Sequence, residues 1–157
     1  LERRFFAIDS FDGLPEPKGV DEGSARFFEG RYDCTEEGFR SILAQNGVDL
    51  DQVVTVPGFY DVSLTDQVKA DHRIERAAIA MVDCDLYEST VPVLKFITDL
   101  LVSGSILIFD DWFNFQADPE LGEQKACREW LQRNPHIQLV PYVRWGMTQQ
   151  SFIVNIR

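Results

Sequence analysis

Short apolar runs separated by polar, turn-rich stretches set the pattern of this chain. Phe5-Phe6-Ala7-Ile8 is one run, ending at Asp9, and Val53-Val54-Thr55-Val56 is another, closed by Pro57-Gly58. Ala77-Ala78-Ile79-Ala80-Met81-Val82 and Ser105-Ile106-Leu107-Ile108-Phe109 are clearer still. A continuous apolar run of this length reads as a strand buried on both faces. Elsewhere the period changes to that of a helix. Thr35-Glu36-Glu37 starts one, Phe39, Ile42 and Leu43 continue it, and Asn46-Gly47 stops it. Val93, Leu94, Phe96, Ile97, Leu100 and Leu101 predict a second helix from about Ser89 to Leu101, with Gly104 ending the connection to the next strand. A third runs from about Gly122 to Arg133, where Asn134-Pro135 ends it, and a weaker signal covers residues 64–70. Two last strands, Ile137–Val143 and Ser151–Ile156, flank Arg144-Trp145-Gly146 and predict a hairpin.

Strands alternating with helices predict an α/β fold with a mainly parallel sheet, the hairpin adding an antiparallel strand at its edge. Residues 1–157 read as one domain, with residues 16–46 as a loop-and-helix cap inserted into it. Within that cap, residues 18–34 are polar with scattered aromatics, and residues 112–121 form a second loop.

Charge narrows the partners. The formal net charge is −11, from 26 acidic and 15 basic residues. This argues against nucleic acid and anionic membranes, both of which need a basic footprint. No apolar stretch is long enough to cross a bilayer as a helix. Cys34, Cys84 and Cys127 are odd in number and widely spaced, which suits reduced thiols in a cytoplasmic protein. His72 and His136 are too scattered for a zinc cluster.

The candidate chemistry lies where two predicted strands end. One run leads into Asp83-Cys84-Asp85-Leu86-Tyr87-Glu88-Ser89-Thr90, the other into Asp110-Asp111-Trp112. Ligands of open α/β sheets bind beyond the carboxyl ends of the strands. Carboxylates gathered there repel one another unless a cation or proton neutralises them, and Mg²⁺ is the natural partner of clustered oxygen ligands. The plainer alternative is that these acids, and Asp9, cap the turns and helices that follow.

These residues resemble the macrocin O-methyltransferase family of natural-product tailoring enzymes. The Asp83–Thr90 block and Asp110-Asp111-Trp112 carry the likeness, and Asp9-Ser10-Phe11-Asp12-Gly13-Leu14-Pro15 adds to it. Gly30-Arg31-Tyr32 and Gly58-Phe59-Tyr60 follow in order. The chain departs from the family in Val62-Ser63-Leu64, where Asp-Thr-Leu is frequent, and in Trp112, where Tyr is common. The resemblance implies a Rossmann-like class I methyltransferase sheet that uses S-adenosylmethionine and Mg²⁺ to methylate a hydroxyl of a small glycoside or phenol. It implies that Asp83, Asp110 and Asp111 hold the metal, and that Asp85 is a further ligand or a general base. Asp83 and Asp85 are the catalytic candidates, with their division of labour open. Asp9, Ser10, Phe11, Gly58, Phe59, Tyr60 and Asp83 are the candidate cofactor contacts. Asp9 would take the ribose hydroxyls, and Phe59 or Tyr60 the adenine, unless they are plain core. Phe27, Phe28, Tyr32, Trp112, Phe113 and Phe115 are candidates for the acceptor pocket or, equally, for loop residues tucked onto the core. A homo-oligomer is compatible with all of this.

The family's first strand and glycine-rich loop are expected ahead of Leu1, since the sequence contains no Gly-x-Gly. The chain is therefore expected to be a fragment. In the resembling fold that strand separates the strands at 5–8 and 77–82, so two unpaired edges and poor cofactor binding by the fragment are expected. Two rival readings are a glycosyltransferase using Asp83-Cys84-Asp85 as its metal-binding Asp-x-Asp, and an inactive methyltransferase-like remnant. A phosphatase with an Asp nucleophile is weaker, because Tyr87 stands where Thr is needed.

Overall fold

The computed structural model describes residues 4–157. Its strands are β1 (Phe5–Asp9), β2 (Val53–Pro57), β3 (Ala77–Val82), β4 (Leu101–Phe109), β5 (Ile137–Trp145) and β6 (Gln149–Ile156). The helices are α1 (Glu36–Gln45), α2 (Tyr60–Ser63), α3 (Asp66–His72), α4 (Tyr87–Ile97) and α5 (Gly122–Arg133). β1 and β2 pair in parallel as a sheet of their own, and the other strands form a second sheet in the order β3-β4-β6-β5. β3 and β4 are parallel, while β6 runs antiparallel to both β4 and β5. This is the expected Rossmann-like α/β architecture.

The core fills the space between the second sheet and the paired helices α4 and α5. Val82, Leu107, Phe109 and Val154 point into it from the strands, Leu94, Phe96 and Ile97 from α4, and Ala126, Cys127 and Trp130 from α5. The Trp130 indole also donates to Thr98 Oγ1 at 2.8 Å, giving its buried N–H a partner. α1, by contrast, buries no residue, and its amphipathic pattern only half-covers Phe39 and Leu43.

Three sequence-based expectations need correction. The helix predicted over 89–101 ends at Ile97, and Leu101 already begins β4. Gly104, at φ 94, lies inside that strand rather than before it. Ser105 bridges the local irregularity, accepting from the Val102 amide at 3.0 Å and donating to Ala77 O at 2.6 Å. Leu100 and Leu101 are buried as expected, but an apolar pair fits either period, so pattern alone misplaced the boundary. The weak helix expected at 64–70 is α3, displaced to Asp66–His72 because Thr65 caps it by accepting from the Val68 amide at 3.2 Å, and the short α2 just before it was not expected.

The third correction concerns exposure and order. β3 is not buried on both faces: Val82 packs into the core, but Ile79 and Met81 are 61% and 56% exposed. β3 hydrogen-bonds only to β4, and β1 only to β2, so each has a free edge among the described residues. In the hairpin, the antiparallel strand β6 lies inside the sheet and β5 takes the edge. The burial explains the order, because Phe152 and Val154 of β6 are core while most of β5 faces solvent.

Candidate active site

The carboxyl ends of β1, β3 and β4 open onto one cavity of about 1110 Å³. Asp9 and Ser10 line it from β1, Phe59 and Tyr60 from the start of α2, and Asp83, Asp85, Asp110 and Asp111 from the ends of β3 and β4. Lys18, Arg26, Arg31 and Tyr32 complete it from the cap segment. Phe11 and Gly58 do not line it. Phe11 instead packs on Phe39, ring centroids 5.7 Å apart, and the Gly58 amide donates to Asp9 O at 2.9 Å. Asp9 also caps its own turn, its Oδ1 accepting from the Phe11 amide at 2.7 Å.

Asp83, Asp110 and Asp111 each bring a carboxylate oxygen within 4.8 Å of the others. The parallel pairing of β3 with β4 makes this possible, since the Asp110 amide continues the ladder onto Val82 O at 3.0 Å. Asp111 Oδ1 accepts from the Asn114 side-chain amide, and its Oδ2 is buried with no hydrogen-bond partner. A buried, unpartnered carboxylate oxygen beside two more carboxylates suits a hard divalent cation.

Asp85 is not one of these three, but its carboxyl meets that of Asp111. Its φ is 58, and the Leu86 amide donates to Cys84 O at 2.5 Å, closing a tight turn with Asp85 at its apex. A non-glycine residue in this left-handed region carries strain. Burial, and then the Asp83 carboxylate, push the Asp85 pKa up to about 6. Burial, and then Asp85, push Asp111 up to about 8. The two carboxyls face each other, so the extra proton belongs to the pair. Asp83 is also raised, by burial and then by Asp110 and Asp9. Tyr60, between the ends of β1 and β3, is raised by burial and by Cys84, Asp9 and Asp83 around it.

Four residues of the site were not singled out in the sequence. Arg26 donates to Asn114 Oδ1 at 2.8 Å, and its charge, after the hydrogen bond with Asp111, opposes the rise of the Asp85 pKa. Asn114 links Arg26 to Asp111. Asp21 is 2% exposed and accepts from the amides of Tyr87 at 2.5 Å and Gly122 at 3.1 Å, joining the N-termini of α4 and α5. Glu123 accepts from the Asp111 amide at 3.0 Å. Asn114, three residues after Asp111, carries a local signal of side-chain capping. Asp21, Arg26 and Glu123 read as ordinary solvated charges, and their partners are far away in sequence.

The loop aromatics behave as core more than as pocket. Trp112 packs against Phe109 and Phe152, both with centroids at 4.9 Å, and Phe115 against buried Phe27 at 5.2 Å. Phe113 lies under the Arg144 guanidinium, 4.0 Å from its centroid. Of the aromatic acceptor candidates, Tyr32 alone lines the cavity.

A model of the macrocin-O-methyltransferase (TylF) family matches residues 1–130. A Streptomyces olivaceus protein, 8-demethyl-8-(2,3-dimethoxy-alpha-L-rhamnosyl)-tetracenomycin-C 4'-O-methyltransferase, is 32% identical over 116 residues, or 70% of this chain and 42% of that protein. Among solved structures, the O-methyltransferase NovP superposes with a TM-score of 0.75 at 21% identity, covering 100% of this chain and 62% of its own. CalS11, a calicheamicin methyltransferase, gives a TM-score of 0.73 at 26% identity, covering 96% of this chain and 60% of its own. The chain therefore spans about two fifths of the curated relative and about three fifths of the two structures.

Proposed function

Because this chain belongs to the macrocin-O-methyltransferase (TylF) family, we propose that it is part of an O-methyltransferase that uses S-adenosylmethionine and a divalent cation to methylate a sugar hydroxyl of a natural product. The observation that carries this reading is the meeting of Asp83, Asp110 and Asp111 oxygens within 4.8 Å, in a cavity that also holds Asp9. The names of the tetracenomycin and calicheamicin relatives support the acceptor class.

Asp83, Asp110 and Asp111 would hold the cation. When bound, it supplies Lewis acidity that lowers the pKa of an acceptor hydroxyl beside it. S-adenosylmethionine supplies the methyl group from its sulfonium centre. Asp9, whose Oδ1 takes the Phe11 amide and whose Oδ2 has no partner among the described residues, would accept hydrogen bonds from ribose hydroxyls. Tyr60, near both Asp9 and Asp83, and Phe59 beside it give the cavity an aromatic surface on which a flat base would pack. Asp85 receives the acceptor proton: a carboxyl with a pKa of about 6 is mostly ionised at neutral pH yet basic enough to take one. The hydrogen bond with Asp111 and then the Arg26 charge favour its ionised form, and the cap segment bearing Arg26, Arg31 and Tyr32 lines the acceptor side of the cavity. Positioning of the two reactants supplies much of the rate.

The glycosyltransferase alternative needs Asp83 and Asp85 on one ion, whereas the oxygens that converge are those of Asp83, Asp110 and Asp111. The test is methyl transfer from S-adenosylmethionine by the enzyme containing this chain, against a glycoside panel, with and without chelator. Activity that needs a divalent cation is expected. Activity indifferent to chelator removes the metal from the mechanism.

A further inference from the structure

Glu123 has no part in the chemistry above, yet it is the most deeply buried carboxyl near the site, at 1% exposure. It sits in the first turn of α5 and reaches under the ends of two strands. Its Oε2 accepts from the Asp111 amide at 3.0 Å, and the Cys84 amide favours its charge from nearby. Those amides belong to a proposed metal ligand and to the neighbour of another. Its Oε1 meets no partner. Buried Cys84 and Cys127 lie beside it, and the Asp111 and Asp83 carboxylates are near enough to repel its charge. An aliphatic side chain would fill such a place at lower solvation cost, so the hydrogen bond to Asp111 is what the carboxyl adds.

The helix that carries Glu123 is itself fixed. The Gly122 amide donates to Asp21 Oδ1 at 3.1 Å, and Gly122 packs so closely that a Cβ there would lie 2.8 Å from the Phe115 ring. Glu123 therefore acts from a rigid base, as a supporting group must if it is to orient a ligand.

We propose that Glu123 is the positioning residue of the acidic site. By holding the Asp111 amide it sets the backbone from which the Asp111 carboxylate meets Asp83 and Asp110. The role rests on the metal-site reading given above.

The test compares the enzyme containing this chain with its E123Q and E123L variants in Mn²⁺ titrations, alongside hydrogen exchange of the Asp111 amide without metal. The Gln oxygen still accepts the Asp111 N–H, so E123Q is expected to bind Mn²⁺ within about threefold of the parent, while E123L binds about 10–100-fold more weakly. The Asp111 amide is expected to exchange at least about tenfold faster in E123L and unchanged in E123Q. Equal Mn²⁺ affinity in E123L overturns the proposal. So does a loss in E123Q as large as in E123L, because charge rather than the hydrogen bond would then be at work. If the parent enzyme does not bind Mn²⁺, the metal reading itself falls and this role falls with it.

Discussion

Arg26 donates through Nη1 to Oδ1 of Asn114 at 2.8 Å, across 88 positions of sequence. Asn114 passes the link on to Asp111 through its side-chain amide. A loop that reads as a polar cap thus brings Arg26, with Lys18 and Arg31, to a cavity that also holds the acidic cluster, and places the Arg26 charge near Asp85. Arg26→Ala removes the attraction that opposes the rise of the Asp85 pKa. The Asp85 titration midpoint, followed by carboxyl ¹³C NMR, is expected to rise by about half a pH unit, less than for a buried pair because Arg26 is exposed. An unchanged midpoint would place Arg26 outside the electrostatics of the site.

Asp21 serves two helices with one carboxylate, taking the Tyr87 amide on Oδ2 and the Gly122 amide on Oδ1. Asp21→Ala leaves both buried amides without a partner and is expected to cost about 2–4 kcal/mol. Asp21→Asn keeps one acceptor oxygen and should lose about half as much. At about 2–4 °C per kcal/mol for a chain of this size, the two variants are separable by calorimetry. Equal, small losses would mean that the cap segment is not anchored through this residue.

Stability should fall as pH rises. Asp85 and Asp111 have folded pKa values raised to about 6 and about 8, against about 3.9 in the unfolded chain. The folded state therefore holds protons that the unfolded state has released. Their contribution is complete below about pH 4 and is lost progressively up to about pH 8, at about 1.4 kcal/mol for every tenfold difference in proton affinity between the folded and unfolded states. Glu120 and Glu129 are lowered by hydrogen bonds to Arg128 and Tyr87, so they act in the opposite sense, but only below the ordinary carboxylate range. The metal-free melting temperature is expected to decrease from pH 5 to pH 8. Added Mg²⁺ competes with the shared proton and should stabilise more at pH 8 than at pH 5. A melting temperature that rises over this interval contradicts the raised pair.

Gly122→Ala tests the close approach at the head of α5. A Cβ there meets the Phe115 ring at 2.8 Å and Asp85 O at 3.2 Å, at a φ of 48. The loss expected is about 1–3 kcal/mol, with Phe115 displaced from Phe27. Urea titration gives the energy, and the aromatic NMR signals of the Phe27–Phe115 pair report the displacement.

Much of this architecture was legible from the sequence. β1, β2, β3, α1 and α5 fall where apolar runs, Thr35, Asn46-Gly47 and Asn134-Pro135 put them. The acidic trio was legible too, because strand ends are marked by the abrupt change from Val82 to Asp83 and from Phe109 to Asp110. The boundary between α4 and β4 was not, since Leu100 and Leu101 satisfy both periods and Gly104 looks like a stop until Ser105 is seen spanning the bend. Nor were Asp21, Arg26 and Glu123. Each is an ordinary charged residue whose role lies in a partner 12 to 101 positions away.

The site straddles a seam. Asp9 rides on β1, while Asp83, Asp110 and Asp111 ride on β3 and β4, and no backbone ladder joins the two sheets among the described residues. What crosses between them is side-chain packing, chiefly Tyr60 and the short α2, which touches both β1 and α4. A molecule that grips Asp9 together with the acids of β3 and β4 would therefore fasten one sheet to the other, along a line that side chains bridge among the described residues.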